Sequence, residues 1–415
     1  MIAVCVLGMS HPKIIEQDMA LVLCVLLVVV GIALLLDAGN VRLLRFVPPV
    51  WMFLAFCLLS TAWSLDPHQT LRFTAFYALI ALIASVLAAA VTPRLLVRGV
   101  SLGGVLIILL SVGAVVQGHE LALGLAPGGE HLVLQGLYGN RNIMSYVLIV
   151  GLCAALADRH RTRAGFLGKL VLVAVYVSLF RWTDSATSLV VAAMVIAGAV
   201  FVWFAALIPA NRRRTTLRWV LVLAGGVTVL VLFNLTRLFA LLGRDSTLSG
   251  RSPLWGAIVD EWSARPLHGY GWGGVWTYAW FPADFSTVGS AINDAIGFPL
   301  NHGHNAVLDV LIQVGLVGVA LYLLIVALAL AVGARAVRHS EPVAATWIFL
   351  TVGALLVAGV TEPLFAVPLG WFMFVLLASA SSGGTARPDE SRPRARSRAS
   401  ARRAAVRPRA RATIR

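Results

Sequence analysis

The chain has 415 residues, of which 59% are hydrophobic and 12% charged, and its mean hydropathy is +0.88. A soluble domain carries about twice that fraction of charge, so a soluble globular protein is excluded and a polytopic helical membrane protein is implied. The net charge of +15 is unevenly placed: residues 386–415 hold eleven arginines against two acids, and the rest carries +6.

Apolar run length predicts about eleven helices (ten to twelve), an all-α arrangement. In chain order they are 19–36, 44–62, 71–91, 95–116, 143–157, 167–180, 185–208, 217–235, 305–332, 343–360 and 364–380. The apolar start, residues 1–9, is too short to span. Lys13, Glu16 and Asp18 flank the first long run, which lacks the form of a cleavable signal. Cys5, Cys24, Cys57 and Cys153 show no CxxC spacing and read as small core residues, with neither a disulfide framework nor a zinc site. The membrane domain is expected to cover 1–385. The tail 386–415, rich in Arg, Pro, Ala and Ser, cannot bury a core; disorder at the cytoplasmic membrane surface is expected. Contact with anionic headgroups or a partner is its functional reading, and a positive-inside anchor the plain one.

Basic residues fall in alternate loops: Arg42 and Arg45; Arg94 and Arg98; 158–169; 211–218; 334–339; and the tail. The positive-inside rule places these in the cytoplasm. The loops at 64–70, 117–141, 181–184, 236–301 and 361–363 then lie outside. That outer set still carries Arg141, Arg181, Arg237, Arg244, Arg251 and Arg265, against the topological bias. An anionic ligand at the outer surface would explain them, as would contact with lipid phosphates.

The loop 236–301 is long and polar in an otherwise apolar chain. It contains GRDSTLSGRSPLW, with Pro253 suited to a first helical turn and Ser252 to its cap. Arg251 would stand at that helix start, where backbone N–H groups also favour an anion, and Arg244 could close the other side. Pairing of Arg251 with Asp245 or Glu261, merely ordering the loop, is the competing reading. Gly269, Gly271 and Gly274 satisfy GxGxxG by letter, but no strand precedes them and a dinucleotide site is rejected. Interleaved with Tyr270, Trp272 and Trp276, they read as a tight aromatic loop, with packing at the membrane interface the leading role of its rings and stacking on a sugar the alternative.

NHGHN, residues 301–305, opens a long apolar helix on which Asn305, Asp309 and Gln313 form one polar stripe facing the bundle interior. His304 heads this stripe. A neutral imidazole there suits a general base; a helix-capping histidine is the alternative. His268, His302 and His304 have no acid or cysteine at ligand spacing, so no metal is expected. GLYGNRN, TDSATS and the Thr361–Glu362–Pro363 turn lie on the same face. Glu362 has little polar cover in sequence and is expected to contact an arginine of the large loop.

In LYGNRN, TDSATS, GRDSTLSGRSPLW, RPLHGYGWGGVW, HGHNAVLDVLIQVGLVG and TEPLF, the chain resembles the O-antigen ligase/polymerase superfamily of bacterial membrane proteins. The likeness is to its exopolysaccharide-polymerase-like branch. It covers about residues 136–366 and includes a glycine eleven residues past the histidine, His304 to Gly315. Three positions depart from the pattern: Asn140 for a histidine, Ala186 for an arginine and Gln313 for a glutamate. The resemblance implies a GT-C-like, metal-independent, inverting glycosyltransferase without cofactor. It would sit in the bacterial plasma membrane with its site on the outer face. Donor and acceptor would be a polyprenyl-pyrophosphate-linked glycan and a glycan or lipid hydroxyl, with other glycan-assembly proteins as partners; no nucleic acid is expected. Arg251 and Arg244 would bind pyrophosphate and His304 would take the acceptor proton. Arg141, Asn142, Ser185, Trp255, Asn305 and Glu362 are the expected substrate-binding residues. Polymerisation of repeat units is the leading reading, and ligase-type transfer of finished glycan the alternative. A lipid-glycan transporter or a scaffold of an export complex is the reading of another class. Internal repeats expected of a transporter are not seen, and the chemistry-bearing residues gather on one face.

Overall fold

A computed structural model describes residues 1–10, 47–126, 131–160, 162–208, 251–278 and 284–380, with isolated positions between them. The expected helices at 19–36 and 217–235, the tail, Cys24, Arg237 and Arg244 lie outside the described residues.

Five helices are long and apolar enough to cross a membrane: α3 (Pro67–Ala90), α4 (Pro93–Val116), α6 (Arg163–Thr183), α7 (Ala186–Leu207) and α10 (Ala306–Arg338). Shorter apolar helices are α2 (Pro48–Leu59, extended by a 3₁₀ turn, Ser60–Ala62), α5 (Arg141–Ala157), α11 (Pro342–Ala358) and α12 (Pro368–Ser379). The chain is therefore a helical membrane protein. The apolar start forms a helix, α1 (Ile2–Met9), and the large loop contributes α8 (Arg251–Trp262) and α9 (Thr287–Ile296). A small hairpin, β1 (Leu123–Leu125) with β2 (Leu132–Leu134), lies between α4 and α5.

Local sequence explains the helix starts. Proline occupies the first turn of α2, α3, α4, α11 and α12, where its fixed φ suits the helix and its missing N–H costs nothing. Asp66, Asn140, Thr162, Ser286 and Asn305 cap α3, α5, α6, α9 and α10 by accepting backbone N–H bonds. α5 and α12 are buried almost throughout. Where α4 crosses α5, a Cβ on Gly104 would lie 3.0 Å from the Gly151 Cα and 2.3 Å from the Tyr176 hydroxyl. Small residues thus permit the close approach, as is common in membrane bundles.

The long helix α10 is broken. Val314 and Gly315 have non-helical backbone, and Gly315 takes φ 63°, ψ −164°, a region open essentially to glycine alone. The glycine–aromatic loop fills the break. Tyr270 and Gly271 donate backbone N–H bonds to the carbonyls of Ile312 (3.1 Å) and Gln313 (2.8 Å). In return Leu316 and Val317 donate to Pro266 (2.9 Å) and Leu267 (3.2 Å). Backbone groups freed by the break are thereby satisfied from another segment, as a membrane interior requires. The expectation that this loop lies at the interface is corrected. Trp272 and Trp276 are fully buried, and Trp272 packs edge-on against Phe53 and Tyr77. Gln69 donates from Nε2 to the Gly273 and Trp276 carbonyls, and Gln313 Oε1 accepts from the Gly273 N–H at 2.7 Å.

Candidate active site

The start of α10, the end of α11 and the first turn of α8 meet at one end of the bundle. Asn305 fixes the start of α10: its Oδ1 accepts from Val307 (2.9 Å) and Leu308 (3.0 Å), and its Nδ2 donates to the Val360 carbonyl (3.1 Å). Both ends of the side-chain amide are thus engaged in structure. The preceding turn is held from three sides. Asp309 Oδ1 accepts the Gly303 N–H at 2.8 Å, Trp255 Nε1 donates to the Gly303 carbonyl at 3.1 Å, and His302 Nδ1 accepts the His304 N–H at 3.3 Å. Gln313 in turn donates to Asp309 Oδ2 at 3.0 Å, so the polar stripe joins the buried aromatic loop to the histidine turn. Asp309 and Gln313 do face the interior, fully buried.

His304 has φ 45°. A left-handed backbone costs a non-glycine residue about 1–2 kcal/mol and is held only where its surroundings over-determine it, often at functional sites. Its Nδ1 is buried without a hydrogen bond and lies 3.7 Å from Glu362 Oε2, within ion-pair range. The other carboxylate oxygen, Oε1, accepts from Arg251 Nη2 at 3.0 Å. Glu362 therefore bridges Arg251 and His304, and all three side chains are at most 20% exposed. The loop arginine that Glu362 contacts is Arg251, and among the described residues no Arg251–Glu261 ion pair forms; Asp245 lies outside the described residues. A guanidinium–carboxylate contact across 111 residues of sequence is set by tertiary structure alone.

His302 lies beside this trio, its ring 4.0 Å from that of His304 at 70°. Burial first, with His304 and the Arg251 guanidinium close by, holds its imidazole well below the usual histidine range. It is accordingly neutral, and because Nδ1 accepts a bond its proton sits on Nε2. A cavity of about 180 Å³ is lined by His302, Asp309, Glu362, Asn140, Ile143 and Tyr278, among others. That leaves space for a few waters or one end of a substrate.

The other expected site residues form an adjoining cluster. Arg141 Nη1 donates to the Asp184 carbonyl (2.9 Å) and lies 3.3 Å from its Oδ2, tying the start of α5 to the α6–α7 turn. Asn140 caps α5 through the N–H groups of Asn142 and Ile143. Buried Ser185 accepts from Ser188 Oγ at 2.9 Å. Thr361 Oγ1 donates to Thr187 Oγ1 at 3.1 Å, which links this cluster to the turn carrying Glu362. Sequence reasoning named His302 only as a rejected metal ligand and Thr187 only as part of the TDSATS helix entry, and it passed over Gln69, which carried no signal. Among the described residues no three His, Cys, Asp or Glu side chains are grouped to hold a metal ion.

No protein-family model matches the chain. It is similar to the exopolysaccharide production protein ExoQ of Rhizobium meliloti (strain 1021), 24% identical over 315 residues that cover 74% of this chain and 70% of that protein.

Proposed function

We propose that the protein is a glycosyltransferase that moves a glycan from a polyprenyl-pyrophosphate donor to an acceptor hydroxyl, polymerising repeat units of an exopolysaccharide. The observation that carries this reading is the convergence of Arg251, Glu362 and His304 at one end of the bundle, with a cavity beside them. The similarity to an exopolysaccharide production protein supports the same substrate class. In the reaction His304 accepts the acceptor hydroxyl proton through Nε2, since Nδ1 faces Glu362. The acceptor oxygen then forms a bond to the anomeric carbon from the face opposite the pyrophosphate. The carbon–oxygen bond to pyrophosphate breaks with its electron pair leaving on the phosphate oxygen. Arg251 neutralises that developing charge, and its planar guanidinium suits paired phosphate oxygens. Pyrophosphate is a good leaving group, so positioning and charge neutralisation can supply much of the rate without a metal.

The test is transfer by the purified protein in proteoliposomes, using a lipid-linked repeat unit as both donor and acceptor. A ladder of lengthened products is expected, undiminished by EDTA. Arg251→Lys should lower turnover roughly ten- to a hundredfold, the value of one charge-assisted bond. His304→Ala should lower it about 10²–10⁴-fold while donor binding persists. Near-normal turnover in Arg251→Ala or His304→Ala, or abolition by EDTA with rescue by a divalent ion, would refute the proposal. Single transfers to a lipid core without lengthening would assign a ligase instead.

A further inference from the structure

At the end of the bundle opposite His304, three chain segments distant in sequence enclose a cavity of about 650 Å³. The start of α4 contributes Arg94 and Arg98, the α5–α6 turn contributes Asp158, Arg159 and His160, and the start of α11 contributes Pro342. Asp158 is the one acid among the described lining residues. It faces Arg98 at 3.6 Å and His160 at 3.8 Å, so Arg94 and Arg159 bring two positive charges that no acid in that lining matches.

A second cavity of about 620 Å³ shares Asp158, Arg159 and His160 with the first. It runs between α6 and α7 and is walled by apolar side chains, among them Phe166, Leu170, Val173, Ile196 and Trp203. From Phe166 to Val173 it extends about 10 Å along α6 at the helical rise per residue. Phe166, Leu170 and Trp203 are each half or more exposed, as expected of a lipid-facing surface. The positive-inside tendency accounts for arginines in these loops. It does not account for their convergence on one cavity that opens into an apolar groove.

From this head-and-tail geometry we infer a binding site for one anionic phospholipid of the bilayer, its phosphate on Arg94 and Arg159 and one acyl chain in the α6–α7 groove. The unmatched arginines select a net negative headgroup. Asp158, already facing the Arg98 guanidinium and the His160 ring, offers little to the ammonium of a zwitterionic lipid. The apolar wall requires a chain and so disfavours a free phosphate ester. A lipid held there bridges α4, the α5–α6 turn and α7, independently of the chemistry at the other end.

The experiment is native mass spectrometry of the full chain in detergent, titrated in parallel with dioleoyl phosphatidylglycerol and dioleoyl phosphatidylcholine. One phosphatidylglycerol should be retained in clear preference to phosphatidylcholine. Each of Arg94→Gln and Arg159→Gln should weaken that retention about fivefold, and the pair about thirtyfold, from the usual worth of a basic residue at an anionic membrane surface. Ala199→Trp, which fills the groove and leaves the arginines intact, should also weaken it. Soluble glycerol 3-phosphate should not compete. Equal retention of the two lipids by the unaltered protein overturns the inference. So does retention unchanged in both single arginine variants, or displacement by glycerol 3-phosphate.

Discussion

Replacing Glu362 by Gln removes a charge while preserving the shape and an acceptor for Arg251, and it separates two roles of the site. As His304 takes a proton, positive charge develops 3.7 Å from Glu362 Oε2. At an effective dielectric of about 20 that attraction is about 4 kcal/mol. Proton transfer to His304 is only about half complete in the transition state, so about half of that attraction acts on the rate. About 2 kcal/mol then remains, so kcat should fall roughly thirtyfold. Donor affinity should move the other way or not at all, because the variant frees Arg251 from an anionic partner and lessens repulsion of the pyrophosphate. Single-turnover transfer in proteoliposomes gives the first quantity, and equilibrium binding of a labelled lipid-linked donor the second. A kcat within threefold of the unaltered protein, or a loss confined to donor affinity, would show that Glu362 does not act through His304.

Gly315→Ala should lower stability by about 3 kcal/mol or more, since φ 63° with ψ −164° strains any side chain and the new Cβ would lie 2.3 Å from the Leu267 carbonyl carbon. Gly353→Ala, with nothing within 4 Å, is the control and should be nearly silent in the same thermal-unfolding measurement. Because burial depresses the His302 imidazole, the unfolded chain binds a proton that the folded one refuses once the pH falls below about 6.5. Stability should therefore fall with acidification from that point by up to about 1.4 kcal/mol per pH unit, and His302→Gln should flatten the dependence; a melting profile unchanged by the substitution would contradict it. Cysteines at exposed Asp294 and Ala164, in a background lacking the native four, should label oppositely with an impermeant reagent on intact cells, Asp294 reacting and Ala164 not. The reverse pattern would place His304 on the cytoplasmic side.

Much of the helical framework was legible because a membrane demands long apolar runs, and runs survive in sequence. Ends were less legible. The segment expected at 167–180 is α6, Arg163–Thr183, and the one expected at 305–332 continues to Arg338, because Lys169, Arg181 and Arg335 fit at or near helix ends. Lys169 shows how: its Nζ donates to the Leu156 and Asp158 carbonyls at the end of α5. The aromatic loop was misplaced because its glycines and tryptophans look alike at an interface or in a core. What buries it is the broken backbone of α10, which sequence records only as Gly315. Conversely, the position of that glycine, eleven residues past His304, now has a physical reason. The Arg251–Glu362 contact was half legible: Glu362 needed polar cover, but its partner depends on how α8 folds back onto the α11 end.

The resting charges of the candidate site also constrain what the proposal needs. Arg251 is largely buried, and an unpaired cation there would be costly, so Glu362 serves as its resting counter-ion. That pair is already close to neutral, and His302 adds no charge because it is held neutral. A pyrophosphate entering beside it would bring at least one uncompensated negative charge into a site that excludes much of the water. Arg251 alone cannot both retain Glu362 and neutralise the donor. The proposed reaction therefore requires a second cation. Arg141 stands in the adjoining cluster but is engaged with Asp184, and drawing it to the donor would break the tie between α5 and the α6–α7 turn. Arg244, seven residues before Arg251 and outside the described residues, is the second phosphate contact that the sequence resemblance implies. Arg244→Gln should thus weaken donor binding at least as strongly as Arg141→Gln. The opposite ranking would move the second phosphate contact to Arg141 and make opening of its Asp184 pair part of the reaction.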